Sequence, residues 1–186
     1  MALLKIARMG HPVLRRPAEA VDPADPELPR QIADMIETMF DAEGVGLAAP
    51  QVYLPRRLIV FRVPPERRAE GEPPGPGGVT ALLNPEIEPL GDSVELGFEG
   101  CLSIPGLRGL VPRWRSIRYR GLAPDGTPVE REAHGFHARV VQHEVDHLDG
   151  VLYLDRMPDL RALAFTEELR HFQLDAPPNG APAKED

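Results

Sequence analysis

Three side chains in this sequence have the types and spacing to hold a metal ion, and a fourth stands ready to move a proton beside it. In His143-Glu144-Val145-Asp146-His147 the histidines are four positions apart. On a helix they emerge on one face, about 5–6 Å apart at Cβ, where two imidazoles can grip one ion. Glu144 follows the first histidine and projects beside such an ion, placed to handle the proton of a water molecule. A catalytic site wants a third protein ligand and an open position, and the single cysteine, Cys101, is the outstanding candidate as a thiolate. Two other readings of Cys101 stay open on the residues alone. A lone cysteine is commonly a small buried hydrophobe, and one paired with histidine can be a nucleophile, although that leaves Glu144 and His147 without a task. His134 and His137 lie out of register with His143 and read as surface or supporting residues. His11 and His171 have no ligand-like neighbours.

Those residues need elements to place them. Leu28, Ile32, Met35, Ile36, Met39 and Phe40 recur at helical spacing after Asp25-Pro26 and before Gly44, which predicts a first amphipathic helix. Gly44 to Gln51 is a shaped Gly/Ala-rich loop leading to the strand LIVFRV at Leu58 to Val63. From Val79 to Glu132, short extended stretches alternate with turn signals, Pro124-Asp125-Gly126 among them, which predicts antiparallel sheets. A second helix, carrying the histidines, is expected from about Gly135 to Leu148, with Phe136, Val140, Val141, Val145 and Leu148 as its apolar stripe and Asp149-Gly150 as its end. A third is expected from Asp159 to about Phe172. The fold class that follows is α+β: antiparallel sheets packed around a central metal-binding helix, with an N-terminal and a C-terminal helix.

The 186 residues fit one domain, taken as residues 1–172, followed by a polar, proline-rich acidic tail over 173–186 that is expected to be disordered. The stretch PPERRAEGEPPGPGG, Pro64 to Gly78, cannot supply a core and reads as a mobile surface insertion. With 42% hydrophobic and 27% charged residues the composition is that of an ordinary soluble protein, and no apolar run reaches bilayer length. The N-terminus lacks the features of a secretory signal, and one cysteine permits no internal disulfide, so a cytoplasmic location is expected. A net charge of −8 argues against DNA binding. The locally basic segment Arg108 to Arg120 reads as a solvated strand face.

GVGLAAPQ at Gly44 to Gln51, EGCLS at Glu99 to Ser103 and QHEVDHLDG at Gln142 to Gly150 together resemble the three signature motifs of the peptide deformylases. GHPVLRRP at Gly10 to Pro17 is similar to that family's N-terminal arm, so the resemblance covers roughly residues 4 to 172. It implies hydrolysis of the formyl group from the N-terminal formyl-methionine of newly made polypeptides, with release of formate. It also implies one divalent ion on Cys101, His143 and His147, Fe2+ in first place, with Zn2+, Ni2+ or Co2+ able to take the same ligands. Glu144 would act as the proton carrier, and the side-chain amide of Gln51 with the backbone N–H of Leu102 would serve the developing oxyanion. Gly44, Val45 and Gly46 would lie along an extended substrate, Val45, Glu99, Phe136 and Val140 would line a methionine pocket, and Arg108 would touch the substrate backbone. Arg139 stands where a pocket wall would be apolar. The partners implied are nascent chains and the ribosome near its exit tunnel, although the tail lacks the basic helix with which some members dock there. A zinc-dependent peptidase of the HExxH type is the alternative, set apart by taking its third ligand from a downstream His or Glu rather than from Cys101.

Overall fold

The computed structural model describes residues 2–68 and 78–172. The expected tail, 173–186, and most of the expected insertion lie outside the described residues. Helix α1 (Leu28–Asp41) turns Leu28, Ile32, Met35 and Met39 inward, and Pro29 sits in its first turn, where a missing N–H costs nothing. Gly44 N–H closes its end on Met39 O at 2.8 Å. Phe40 departs from the expected stripe: it is 45% exposed, with the Arg62 guanidinium 5.0 Å from its ring centroid.

Among the described residues, eight strands form two antiparallel sheets. β1 (Gly46–Ala48), β2 (Leu58–Phe61), β3 (Thr80–Pro89), β6 (Ser116–Leu122) and β7 (Pro128–His134) lie in the order β1-β2-β3-β6-β7. β4 (Val94–Cys101), β5 (Ile104–Trp114) and β8 (Leu163–Phe165) form the second sheet, with β4 on its outer edge. Between them runs α2 (Gly135–Leu148), which touches strands of both sheets. Its residues Ala138, Val140, Val141, Val145 and Leu148 share a core with Ile59, Phe61, Leu82, Ile117 and Tyr119 of the larger sheet. Gly150 ends the helix region at φ +74°, and a Cβ there would meet the Arg15 carbonyl carbon at 2.8 Å. One helical turn, α3 (Tyr153–Arg156), follows.

The helix expected over residues 159–172 is instead two 3-10 stretches, Leu160–Ala162 and Thr166–His171, either side of β8. Two observations explain the difference. Leu160 and Phe165 remain 67% and 59% exposed, so a helix there would have had no buried face to stabilise it. β5 meanwhile offers an open backbone edge at Leu107–Gly109, which residues 163–165 pair with directly. His137 also departs from expectation: it is 7% exposed, packed against Phe61 and Tyr119, and shares a hydrogen bond of 3.3 Å with the Tyr119 hydroxyl.

The N-terminal arm laces the site loops together. Ala7 N–H donates to Gln51 O at 2.7 Å, Met9 N–H to Ser103 O at 2.9 Å, and Arg8 Nη1 to Leu102 O at 2.8 Å. Leu82, fully buried in the core between α2 and the larger sheet, tests how far that core carries the fold. Leu82→Ala is expected to lower the unfolding free energy by about 2–5 kcal/mol in a urea titration, because the side chains around it can only partly close the cavity.

Candidate active site

α2 and the hairpin of β4 and β5 bring the candidate ligands together. Ligand atoms of Cys101, His143 and His147 all lie within 4.8 Å of one another, with Cys101 Sγ 3.2 Å from His147 Nε2. Burial opposes the thiolate at Cys101, yet the neighbouring His147 and His143 outweigh it and bring the thiol well below its ordinary value. Burial opposes charge on His143 as well, but Cys101 and Glu99 raise it well above its ordinary value, so the cluster holds a proton that a divalent ion would replace; the donors then offered, one thiolate and two imidazoles, suit a borderline divalent ion.

His143 is aimed by Glu99. The imidazole Nδ1 lies 2.8 Å from Glu99 Oε2, which leaves Nε2 for the cluster. Glu99 is itself held by Arg113 through both oxygens, Nε to Oε1 at 2.9 Å and Nη2 to Oε2 at 3.0 Å, and by Arg139 Nη1 at 2.9 Å. Arg113 continues to Asp146 at 2.6 Å, and Asp146 accepts from Arg156 at 2.8 Å. Burial pushes the Glu99 carboxyl up, but His143 and Arg113 prevail and hold it well below the usual carboxylate range. The Tyr153 ring stacks on His143 with centroids 6.2 Å apart, and burial pushes its phenol up to about 12.

Glu144 is buried on the helix face beside the cluster. Desolvation pushes its carboxyl up to about 7, against the pull of His143 and His147, and Oε2 has no protein partner among the described residues. Gly46 makes room for it: a Cβ there would sit 2.6 Å from Glu144 Cδ. Gln51 is fixed by its oxygen, which accepts from Ala48 N–H at 2.8 Å. Its NH2 end therefore faces the site, 3.2 Å from Ser103 Oγ and 3.4 Å from Cys101 Sγ.

A cleft of about 540 Å³ opens over these groups, lined among others by Val45, Gly46, Leu102, Arg108, Phe136 and Val140. Glu99 also lines it, although its oxygens are engaged by His143 and the two arginines. Gly44 lies behind the lining, where a Cβ would press on Leu102 Cδ1 at 2.9 Å. The structure thus brings Gln51, Cys101, Leu102, His143, Glu144 and His147 from the three motifs around one cleft. Arg113, Asp146 and Tyr153 were missed. Arg113 had been read as part of a solvated strand face, but it is 5% exposed. The available signal was the strand's period of two, which puts Arg113 on the same face as buried Val111.

Compared with known families, residues 3–162 match the model for polypeptide deformylases. The chain belongs to that family. Peptide deformylase 1 of Bordetella pertussis is 54% identical over 165 residues, covering 88% of this chain and 93% of that protein. Peptide deformylase 1 of Xanthomonas campestris is 52% identical over 168 residues, covering 90% and 97%. Among solved structures, the Thermotoga maritima peptide deformylase superposes with a TM-score of 0.77 at 39% identity, covering 86% of this chain and all of that one. A class I type b peptide deformylase from Acinetobacter baumannii bound to Met-Ala-Ser gives 0.74 at 35% identity, covering 84% and 99%. The deformylase reaction is a metal-dependent hydrolysis that removes the formyl group from an N-terminal methionine, and membership sets aside the HExxH-peptidase alternative.

The contact between Gly46 and Glu144 yields a sharp expectation. Gly46→Ala should displace the Glu144 carboxylate and lower kcat by about 10²-fold, the lower end of what a positioned acid–base group contributes. Steady-state kinetics beside a thermal melt would separate this from unfolding, and an unchanged kcat would refute it.

Proposed function

We propose that Cys101, His143 and His147 hold one divalent ion, Fe2+ in the native protein, and that Glu144, Gln51 and Leu102 work around it to deformylate nascent chains. The observation that supports this most is the convergence of three ligand atoms within 4.8 Å beside Glu144, whose Oε2 is buried and unpartnered. A closed structural site would need a fourth protein ligand, and the described residues offer only these three. When bound, such an ion supplies Lewis acidity and lowers the pKa of water from about 16 towards about 7.

The protein's own groups account for the rest. Glu144 takes a proton from the attacking water as its oxygen adds to the formyl carbon. The same carboxyl then delivers that proton to the amine nitrogen as the carbon–nitrogen bond breaks, which yields formate and a free N-terminus. A buried carboxyl pushed up to about 7 is suited to both halves of this exchange near neutral pH. The Gln51 amide and the Leu102 N–H stabilise the oxygen that gains charge. Because the Gln51 oxygen is committed to Ala48, the amide presents its donor end without reorganising.

The substrate backbone runs extended past Val45 and Gly46, with Arg108 along its course, and its methionine side chain lies against Val45, Phe136 and Val140. Gly44 acts indirectly by letting Leu102 settle, and Glu99 holds His143 while bordering the pocket. The A. baumannii relative bound to Met-Ala-Ser supports a substrate of this kind. In the cell the enzyme acts in the cytoplasm on chains leaving the ribosome. No helix among the described residues is long and apolar enough to cross a membrane.

Glu144→Ala is expected to retain its metal in elemental analysis while formate release from formyl-Met-Ala-Ser drops about 10²–10⁴-fold. Cys101→Ser should emerge from the same purification with its metal content strongly reduced. Near wild-type turnover in the first variant would sink the proton-transfer role. Peroxide should inactivate an iron-loaded sample, since iron(II) and a thiolate both oxidise. Full activity after prolonged treatment would argue against this ligand set.

A further inference from the structure

The cleft carries positive charge that the chain as a whole does not. The sequence has a net charge of −8, yet Arg8, Arg67 and Arg108 all line the cleft and are exposed. Of the lining carboxylates, Glu99 is engaged by His143, Arg113 and Arg139, Glu144 is buried beside the cluster, and Glu43 stands exposed on the loop before Gly44. Arg8 donates through Nη1 to Leu102 O. Arg67 and Arg108 meet no carboxylate at ion-pair distance among the described residues.

Each of these two side chains lies on a surface that places it. Arg67 Cζ sits 3.4 Å from the centroid of the Phe136 ring, in the first turn of α2. Arg108 crosses from β5 over its register partner on β4, Gly100, where a Cβ would lie 3.5 Å from Arg108 Cγ and 3.7 Å from its Nε. The two cations also feel one another. Partial burial and the charge of Arg108 bring Arg67 below its ordinary value, with the adjacent Glu66 pulling the other way. Two guanidinium groups kept this close, with no carboxylate bonded to either, are stabilised by an incoming anion.

We infer that Arg67 and Arg108 form a subsite for an acidic side chain at the third residue of the formylated chain. This rests on the reading of an extended substrate whose methionine side chain lies against Phe136 and Val140. In an extended chain alternate side chains leave on the same face, so the third residue follows the first onto the α2 wall while the second faces away. Its Cα lies about 7 Å beyond that of the methionine and about 10 Å from the formyl carbon. From His143 back to Phe136, α2 covers roughly the same 10 Å. An aspartate or glutamate there arrives where Arg67 overlies Phe136, with Arg108 at hand. A guanidinium stacked on an aromatic face keeps its N–H edge for a carboxylate.

The test follows formate release from formyl-Met-Ala-Asp-Ala-amide and formyl-Met-Ala-Asn-Ala-amide by the metal-loaded wild type, Arg67→Gln and Arg67→Lys. Amidation leaves the aspartyl side chain as the only carboxylate, and a third peptide, formyl-Met-Asp-Ala-Ala-amide, moves it to the second residue. At low salt the wild type should favour the first peptide over its asparaginyl twin by about 3- to 10-fold, through KM rather than kcat, the weight of one or two exposed ion pairs. High salt should bring that ratio within about twofold, and aspartate at the second residue should gain no such advantage. Arg67→Gln should cut the low-salt ratio by about twofold or more, and Arg67→Lys, which keeps the charge, should retain part of it. If Arg67 merely shielded Phe136, its loss would alter both peptides equally and leave their ratio unchanged. Equal KM values for the two peptides on wild type overturn the inference whether or not the variants fold. A ratio undiminished in Arg67→Gln that melts like wild type, or the same gain from aspartate at the second residue, overturns it as well. If wild type releases formate from no peptide while melting normally, the deformylase reading fails and the inference with it; if it releases formate from all three equally, that reading stands and the subsite falls.

Discussion

A single buried carboxylate ties the three parts of the site to one another. Glu99, on β4, accepts from His143 on α2, from Arg113 on β5 and from Arg139 on α2. Nearly all of this lies out of water, where an unpaired charge would cost several kcal/mol and an unfilled acceptor is expensive. The cost of breaking any of these pairs fixes the hairpin of β4 and β5 at one height on the helix. Cys101 lies two residues beyond Glu99, so the same constraint that orients the His143 ring sets where the thiolate stands relative to both imidazoles. Ligand geometry and fold geometry are thus held by the same set of bonds.

Much of this arrangement could be read before the structure, and the reasons differ by element. The histidines of α2 were readable because a helix converts a spacing of four into a shared face, and Val140, Val141, Val145 and Leu148 marked that helix as buried. The five strands from Thr80 to His134 followed from turn residues and alternation. Cys101 could be reached as the one thiolate the sequence offers a metal, but Gln51 joined the histidines only through the resemblance of its motif, because local spacing says nothing about which distant segments meet. Arg113 escaped because a guanidinium on a strand is ordinarily solvated, and only two carboxylates from other segments make its burial tolerable. The segment after Asp159 was misread for a related reason. The open edge of β5 offered that segment backbone partners that no local pattern records.

Small residues around the cleft show how closely its parts approach. Gly46 yields space to Glu144, Gly97 to Arg139, and Gly44 to Leu102. Each is a glycine whose value lies in what a neighbour can then do, and none of the three has a positive φ. Glycine is used here as an absence of volume, not as a flexible joint. That is consistent with a site whose donors must stand ready before charge develops.

The lacing of the N-terminal arm has a consequence for how the enzyme comes into being. Residues 7 to 9 precede all of their partners, Gln51, Leu102 and Ser103, and the helix that carries His143 and His147 begins later still, at Gly135. During synthesis the arm must wait, unpaired, until its partners as far as Ser103 have emerged, because contacts so distant in sequence cannot close earlier. A product that stops short of α2 therefore holds the arm's partners but lacks His143 and His147 and the helix against which the larger sheet packs. An enzyme that strips the formyl group from other chains can thus complete its own site only after Gln51, Ser103 and the helix from Gly135 have all been made.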